Sequence, residues 1–277
     1  MEDILPFLSD NIYVKNNRIK SIKLFLKMLD EPSLPNELYA FRFDFNSDGF
    51  PKLSLAFDRD GKIGEQTEYD NNGKKTKKIE NHYHTATMQR PEIDTTIYKY
   101  NNGLLIEEEE INEDNSFGMY RKELKYRRLY KYDSIGRVIE LIENYIPTNS
   151  QRKKTYEYPD SSIKKEFDFM DNGELNMVTS YKQDNTGKLL EIKAVNSYQY
   201  EDPSNHYQMY KHVHVYSGGL KREMNSYDNE NNLKSNIKYI YDKKNILTSA
   251  ELFEKGKLST IWRFEYSFSG LFNSIFG

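Results

Sequence analysis

Histidine offers the first possible chemistry in this chain. Four of its five histidines form two His-x-His pairs, His82 with His84 and His212 with His214, and His206 lies near the second pair. In a β-strand, residues i and i+2 point to one face, so each pair could present two imidazoles to Zn2+ or Cu2+. Around the second pair, alternation groups Tyr210 and Tyr216 with the histidines and sets Met209, Val213 and Val215 on the other face. That arrangement places the pairs opposite the core. No Asp or Glu ligand is fixed by spacing, and nothing brings the two pairs together in sequence. The plainer expectation is four polar side chains on long strands, with no resident metal or other cofactor.

The remaining chemistry-bearing residues point to structure. Glu107, Glu108, Glu109 and Glu110 form an acidic run. In a strand their carboxylates alternate between faces and should pair with Lys or Arg across the ladder, at about 0.2–1 kcal/mol each. No carboxylate pair is singled out for glycosidase chemistry. The chain has no Gly-x-Ser-x-Gly elbow, Walker loop or dinucleotide fingerprint, and no cysteine for disulfides or thiolate chemistry. The expectation is a protein that is not an enzyme.

Those residues need a scaffold, and the turns define it. Asp- and Asn-rich segments recur: Asn46 to Gly49, Asp58 to Gly61, Asp70 to Gly73, Asn101 to Gly103, Asp133 to Gly136, Asp171 to Gly173 and Asp184 to Gly187. Ser217 to Gly219, Asp228 to Asn232, Asp242 to Asn245 and Glu254 to Gly256 continue the series. Asp at the first position accepts hydrogen bonds from the turn's amides, and Gly takes the left-handed conformation that closes a bulged hairpin. Asn can stand in for that Gly, as at Asn232 and Asn245. Where turns are close, strands of normal length fit between them, which makes a β-meander. Longer intervals should hold less regular returns, near Met88 to Pro91, Ile146 to Asn149 and Asp202 to Asn205. On the order of sixteen strands are expected.

Alternation within strands agrees. Trp262, Phe264, Tyr266 and Phe268 share a face opposite Arg263, Glu265 and Ser267, and Tyr39, Phe41, Phe43 and Phe45 should behave likewise. Ile19 to Leu29 reads as strand rather than helix, with Asn16 to Ile19 as a hairpin turn before it. With 37% apolar residues, a mean hydropathy of -0.87 and 23 tyrosines, the composition suits a wide sheet with a wet face better than a thick dry core. A sheet that wide cannot stay flat. The fold expected is all-β: one antiparallel meander, strongly curved or rolled into a partly open barrel, with little helix. No Ser/Gly-rich linker cuts the chain, so residues 1–277 should form one domain, with 1–18 an N-terminal arm or first hairpin and 269–277 a C-terminal tail.

Charge narrows the partners. Forty Lys and Arg balance 43 Asp and Glu for a formal net of -3, which is no footprint for nucleic acid or a membrane surface. No apolar run approaches the roughly 20 residues of a membrane span. The first residues show no basic and apolar leader pattern, so a cytoplasmic location is expected.

The copy Tyr130-Lys131-Tyr132-Asp133-Ser134-Ile135-Gly136-Arg137-Val138 closely resembles the tyrosine–aspartate repeats of Rhs-type proteins. Tyr98 to Leu104 and Tyr239 to Ile246 are weaker matches, and Tyr156 to Ile163 lacks the Gly. In that family the repeats spiral into a shell around a toxin. This chain is short for such a shell and lacks the family's Asp-Pro-x-Gly boundary motif. The resemblance therefore implies a free-standing repeat protein beside such a system: an immunity or adaptor protein that occludes a toxin or secretion partner. The alternative is an Rhs-type shell or carbohydrate-binding protein. Expected contact points are Leu271, Phe272, Ile275 and Phe276 in the tail, and the returns near Met88 and Asn205.

Overall fold

The computed structural model describes residues 11–31, 36–83, 92–114, 120–197 and 210–269. A short helix, α1 (Asn11–Asn16), leads into β1 (Ile19–Met28), β2 (Leu38–Phe45), β3 (Pro51–Phe57), β4 (Ile63–Tyr69), β5 (Lys75–His82) and β6 (Glu92–Asn101). Next come β7 (Leu104–Asp114), β8 (Arg121–Tyr132), β9 (Val138–Tyr145), β10 (Ser150–Asp160), β11 (Ile163–Phe169) and β12 (Leu175–Gln183). The last are β13 (Leu189–Asn196), β14 (Tyr210–Ser217), β15 (Leu220–Tyr227), β16 (Leu233–Tyr241), β17 (Leu247–Glu254) and β18 (Lys257–Phe268). Among the described residues these are eighteen strands, each antiparallel to the next.

The sheet closes. β1 pairs with β2 on one side and with β18 on the other, so the meander becomes a barrel with no free edge among the described strands. The all-β, rolled meander expected from the turns is borne out, and it closes fully, with eighteen described strands where on the order of sixteen were expected. The role of Asn16 to Ile19 differs, since it turns the chain out of α1 instead of joining two strands. At about 4.8 Å per strand the ring has a girth of roughly 85 Å before tilt, too wide for a round section to be filled by opposed side chains.

The turns follow the expected chemistry. Oδ1 of Asp133 accepts the amides of Ile135 (3.1 Å) and Arg137 (2.8 Å), while Gly136 sits at φ 82° and donates to the Asp133 carbonyl at 3.1 Å. Asp58, Asp70, Asp184, Asp228 and Asp242 each hold two amides in the same way. At the Asp228 turn the left-handed residue is Asn231 (φ 65°), not Asn232. Ile146 to Asn149 is a tight turn with Asn149 at φ 49°, not a loose return.

The tyrosines lock the hairpins together. At the end of β6, β8, β10, β16 and β18, the hydroxyls of Tyr100, Tyr132, Tyr158, Tyr241 and Tyr266 donate to carbonyls at the start of the preceding strand, those of Lys75, Leu105, Val138, Lys221 and Leu247. The basic residue that follows the turn Gly then covers the ring of a tyrosine in the next hairpin. Lys74 lies 5.4 Å from the Tyr100 centroid and Arg137 4.4 Å from that of Tyr158. The recurring Tyr, Asp, Gly and basic positions are thus all used structurally.

Gly73 is a turn glycine tightly hemmed in by rigid neighbours. Its φ is 76°, and an added Cβ would lie 3.1 Å from Phe50 Cδ1 and 3.1 Å from Pro51 Cδ, whereas one at Gly173 would meet nothing within 4 Å. Gly173→Ala is expected to cost about 1–2 kcal/mol from the left-handed backbone alone. Gly73→Ala should cost measurably more, which urea denaturation of the two variants will show.

Direct cross-strand partners trace one continuous face around the ring: Tyr266, Ile22, Phe43, Ser54, Thr67, Lys78, Thr96, Glu110, Tyr126 and Tyr145. This is the buried, inner face, and it changes character along the way. From β15 to β18 and across β1 and β2 it is apolar, with Met224, Ile237, Tyr239, Leu247, Ala250, Phe264, Ile22, Leu24 and Phe43 clustered and Val14 of α1 packed onto them. Tyr13 ties the helix down by donating to the Asn245 carbonyl at 2.7 Å. Farther around, from β5 to β12, the inner face is polar.

One aromatic alternation is broken. Phe43 and Phe45 are buried, but a bulge between Leu24 and Phe25 shifts the β1–β2 register at Ala40. Tyr39 is thereby turned to the outer face, stacked on Phe57 at 4.4 Å and beside Phe25 at 5.4 Å.

Candidate functional site

The polar sector of the inner face is built by β5 to β12, with every position set by register. Asp94 pairs with Asn112 across β6 and β7, Tyr98 with Glu108, Glu108 with Arg128, and Arg128 with Glu143. Asp94, Glu108, Glu110, Asn112 and Glu143 are all buried. On the opposite side of the same strands the Lys131 side chain is 65% exposed, and Lys99 and Arg127 are 43% exposed.

Two clusters dominate this wall. In the first, Arg128 bridges Glu143 through Nε and Glu108 Oε2 through Nη1 at 3.2 Å, while the Tyr130 hydroxyl donates to Glu108 Oε1 at 2.7 Å. The guanidinium also lies over the Tyr126 ring, 4.7 Å from its centroid. In the second, Asp94 accepts from Asn112 (2.7 Å), Lys125 (3.0 Å) and His82 Nε2 (2.9 Å). Lys125 reaches it because a bulge between Glu110 and Ile111 swings the start of β8 inward. Burial pushes the Asp94 carboxyl up, but the bonds from Asn112 and Lys125 outweigh it and hold it below the usual range. Glu110 goes the other way, raised by burial and then by the negative charge of Asp94.

Asp94→Asn is expected to cost about 2 kcal/mol at neutral pH through the charged hydrogen bonds it removes. Because the folded carboxyl is depressed, its contribution is present above the ordinary carboxylate range and lost as pH falls through the folded value. The difference between wild type and variant in urea midpoint should therefore shrink in acid.

Chemically, this wall holds charge in place. Most of its acids and bases are engaged with each other or with tyrosine hydroxyls. Lys164 instead lies against the Tyr156 and Tyr181 rings at 4.7 and 4.8 Å. Among the described residues no hydroxyl nucleophile is bonded to His82. Lys154 pairs with Glu166 at 2.8 Å in the same manner. Asp168 is an exception, buried with Oδ1 lacking a partner among the described residues. The run Glu107 to Glu110 divides as alternation requires. Glu108 and Glu110 face inward, and Glu107 and Glu109 pair outward with Lys99 and Arg127. Hydrogen bonds from Lys99, then Arg127, hold Glu109 down to about 2. With Lys131, Glu140 and Lys153 these residues make an outward charge ladder on β6 to β10. A lipid-facing barrel wall is apolar, whereas this stretch of outer wall carries paired charges. Among the described residues no helix is long and apolar enough to cross a membrane.

The histidine pairs are not brought together. His82 is on β5 and His212 and His214 are on β14, half the ring apart. His84 lies outside the described residues. His212 shares a 2.8 Å hydrogen bond with Ser226, and among the described residues no group of three or more metal-type ligands converges. Their face was also misread: His214 is 5% exposed and Val215 is 39% exposed, so the imidazoles face inward and the valine outward. An inner wall that is partly polar reverses the usual apolar-in assumption.

Leu271, Phe272, Ile275, Phe276, Met88 and Asn205 lie outside the described residues. β18 ends at the opposite end of the barrel from the β5–β6 and β13–β14 connections. The longest connections, 29–37, 83–91, 115–120 and 197–209, all leave from that second end, while tight turns close the first. Several large apolar residues flank the connections of the second end and are exposed: Leu29, Tyr120, Ile146, Met170 and Leu233. Sequence reading did not single them out. Their signal was available in the parity of the strands, which fixes the end at which each turn emerges.

No protein-family model matches the chain, and no curated protein matches it. Among solved structures it is similar to a porin-like protein from Bacteroides uniformis, at 10% identity and a TM-score of 0.44, covering 91% of this chain and 98% of that one. It is also similar to a porin-like protein from Bacteroides vulgatus, at 11% identity and a TM-score of 0.32, covering 91% and 99%. A TcdB2–TccC3 structure without its hypervariable C-terminal region matches at 10% identity and a TM-score of 0.24, over 85% of this chain and 18% of that one.

Proposed function

We propose that this chain is a non-enzymatic protein-binding barrel, an immunity or adaptor protein that occludes a toxin or secretion-system partner. The observation that carries the reading is the gathering of the four longest connections at one end of a closed ring. Loops on a rigid scaffold are where recognition is usually built. The rim offers apolar anchors in Tyr120, Ile146 and Met170. The outer ladder is less suited, because its charges already neutralise one another. Strand addition at a sheet edge is not available to a closed ring. Occlusion would be steric, with the rim pressed over the partner's working surface.

The test is co-expression with the product of the neighbouring reading frame. Co-purification with relief of that product's toxicity supports the reading. Tyr120→Ser, Ile146→Ser and Met170→Ser together should abolish capture while leaving the β-sheet circular dichroism unchanged. Capture that survives all three changes, or a wild-type chain that gives no protection, would contradict it. A second reading, an enclosing Rhs-type shell or carbohydrate-binding protein, is favoured by the polar inner wall of β5 to β12. Binding on a glycan array without any protein partner would support that reading instead.

A further inference from the structure

Where α1 meets the closing seam, residues of α1, β1, β2, β3 and the end of β18 line a half-open cavity of about 810 Å3. Five cations line it, against the single acid Asp44. Two of the five are spoken for: Arg42 pairs with Asp44 at 3.0 Å and Lys15 with Asp48 at 3.1 Å. Arg18, Lys20 and Lys52 have no ion-pair partner among the described residues. This concentration of positive charge stands on a chain whose net formal charge is -3.

Hydroxyls accompany the charge. Ser21 Oγ and Ser267 Oγ, 2.7 Å apart across the β1–β18 seam, lie in the same wall. The backbone is also unusual at this point, for Arg18 holds φ 54°, a conformation that ordinarily costs a non-glycine residue stability. Its carbonyl is fixed by the Ser269 amide at 2.8 Å, so the strained turn is anchored where the cavity opens.

We infer that this cavity binds a small anion bearing a phosphate group. The lining offers a planar guanidinium, two ammonium groups and serine hydroxyls, the kinds of donor that phosphate oxygens accept. The cations line one local cleft, which suits a compact anion better than a nucleic-acid backbone that tracks an extended basic stripe. Because the cations come from α1–β1 and from β3, the bound anion would tie β1 to its neighbours and stabilise the closed ring.

The test is calorimetric titration of the full chain with pyrophosphate at constant ionic strength, alongside thermal melting. Saturable binding of one pyrophosphate per chain and a raised Tm are expected. Lys20→Gln with Lys52→Gln should weaken binding at least about tenfold with the circular dichroism unchanged. Lys182→Gln, a change to an exposed lysine on β12, should leave it unaltered. No saturable binding, equal weakening by Lys182→Gln, or no effect of the double change would overturn the inference. Stronger binding of a single-stranded oligonucleotide than of pyrophosphate would also overturn it.

Discussion

Arg128→Met should destabilise the barrel by about 3 kcal/mol at neutral pH. Glu108 and Glu143 are both buried, and the Arg128 guanidinium is placed between them. Removing it leaves two carboxylates facing each other with little water to screen them. Breaking a buried pair by deleting one partner typically costs about 3–5 kcal/mol, and the lower figure applies because Arg128 is itself partly exposed. Protonation relieves the penalty, so the deficit should narrow as pH falls. Adding Glu108→Gln and Glu143→Gln to Arg128→Met should recover most of the loss, because neutral amides carry no repulsion. Guanidinium denaturation of the three proteins at neutral and mildly acid pH provides the check. A full deficit that persists in the triple variant would show that Arg128 acts through packing on Tyr126 and not through charge.

Leu24→Ala is expected to have an effect of similar size for a different reason. Leu24 is fully buried on β1, opposite Phe41 on one side and Phe264 on the other. Truncating a buried leucine costs about 2–5 kcal/mol, more where neighbours cannot collapse into the space. Here the neighbours belong to the two strands that β1 holds together, and both are fixed by their own ladders. The loss should therefore lie toward the upper part of that range. It should also open the seam preferentially, seen as faster amide exchange in β1 and β18 than in β9 and β10. Uniformly faster exchange around the ring would argue against a seam held by this contact.

How much of this was legible in the sequence depends on how local the signal is. Asp133 with Gly136 encodes its turn within five residues, so the hairpins and the meander could be read directly. Closure could not, because β1 meets β18 across nearly the whole chain and no local pattern marks the pairing. Bulges were invisible for a related reason: the slip at Ala40 that turns Tyr39 outward exists only relative to a partner strand. The inner polar clusters escaped notice because Glu108, Arg128 and Glu143 are dispersed over three strands and ordinary one at a time. His214 was assigned to the wrong side because Val213 and Val215 look like core residues, and in a wide ring the inner wall need not be apolar.

The meander closes with β1 inserted between β18 and β2. The chain has no cysteine, so a pair introduced at Ser21 and Ser267 is free of competing thiols. Their hydroxyl oxygens are 2.7 Å apart, and the two residues are direct partners across the seam. Mild oxidation of the Ser21→Cys, Ser267→Cys chain should form an intramolecular disulfide as readily as a local control, Ser226→Cys with Ser235→Cys, whose residues pair across β15 and β16. Efficient cross-linking of the control with none at the seam would show an open sheet and contradict the barrel.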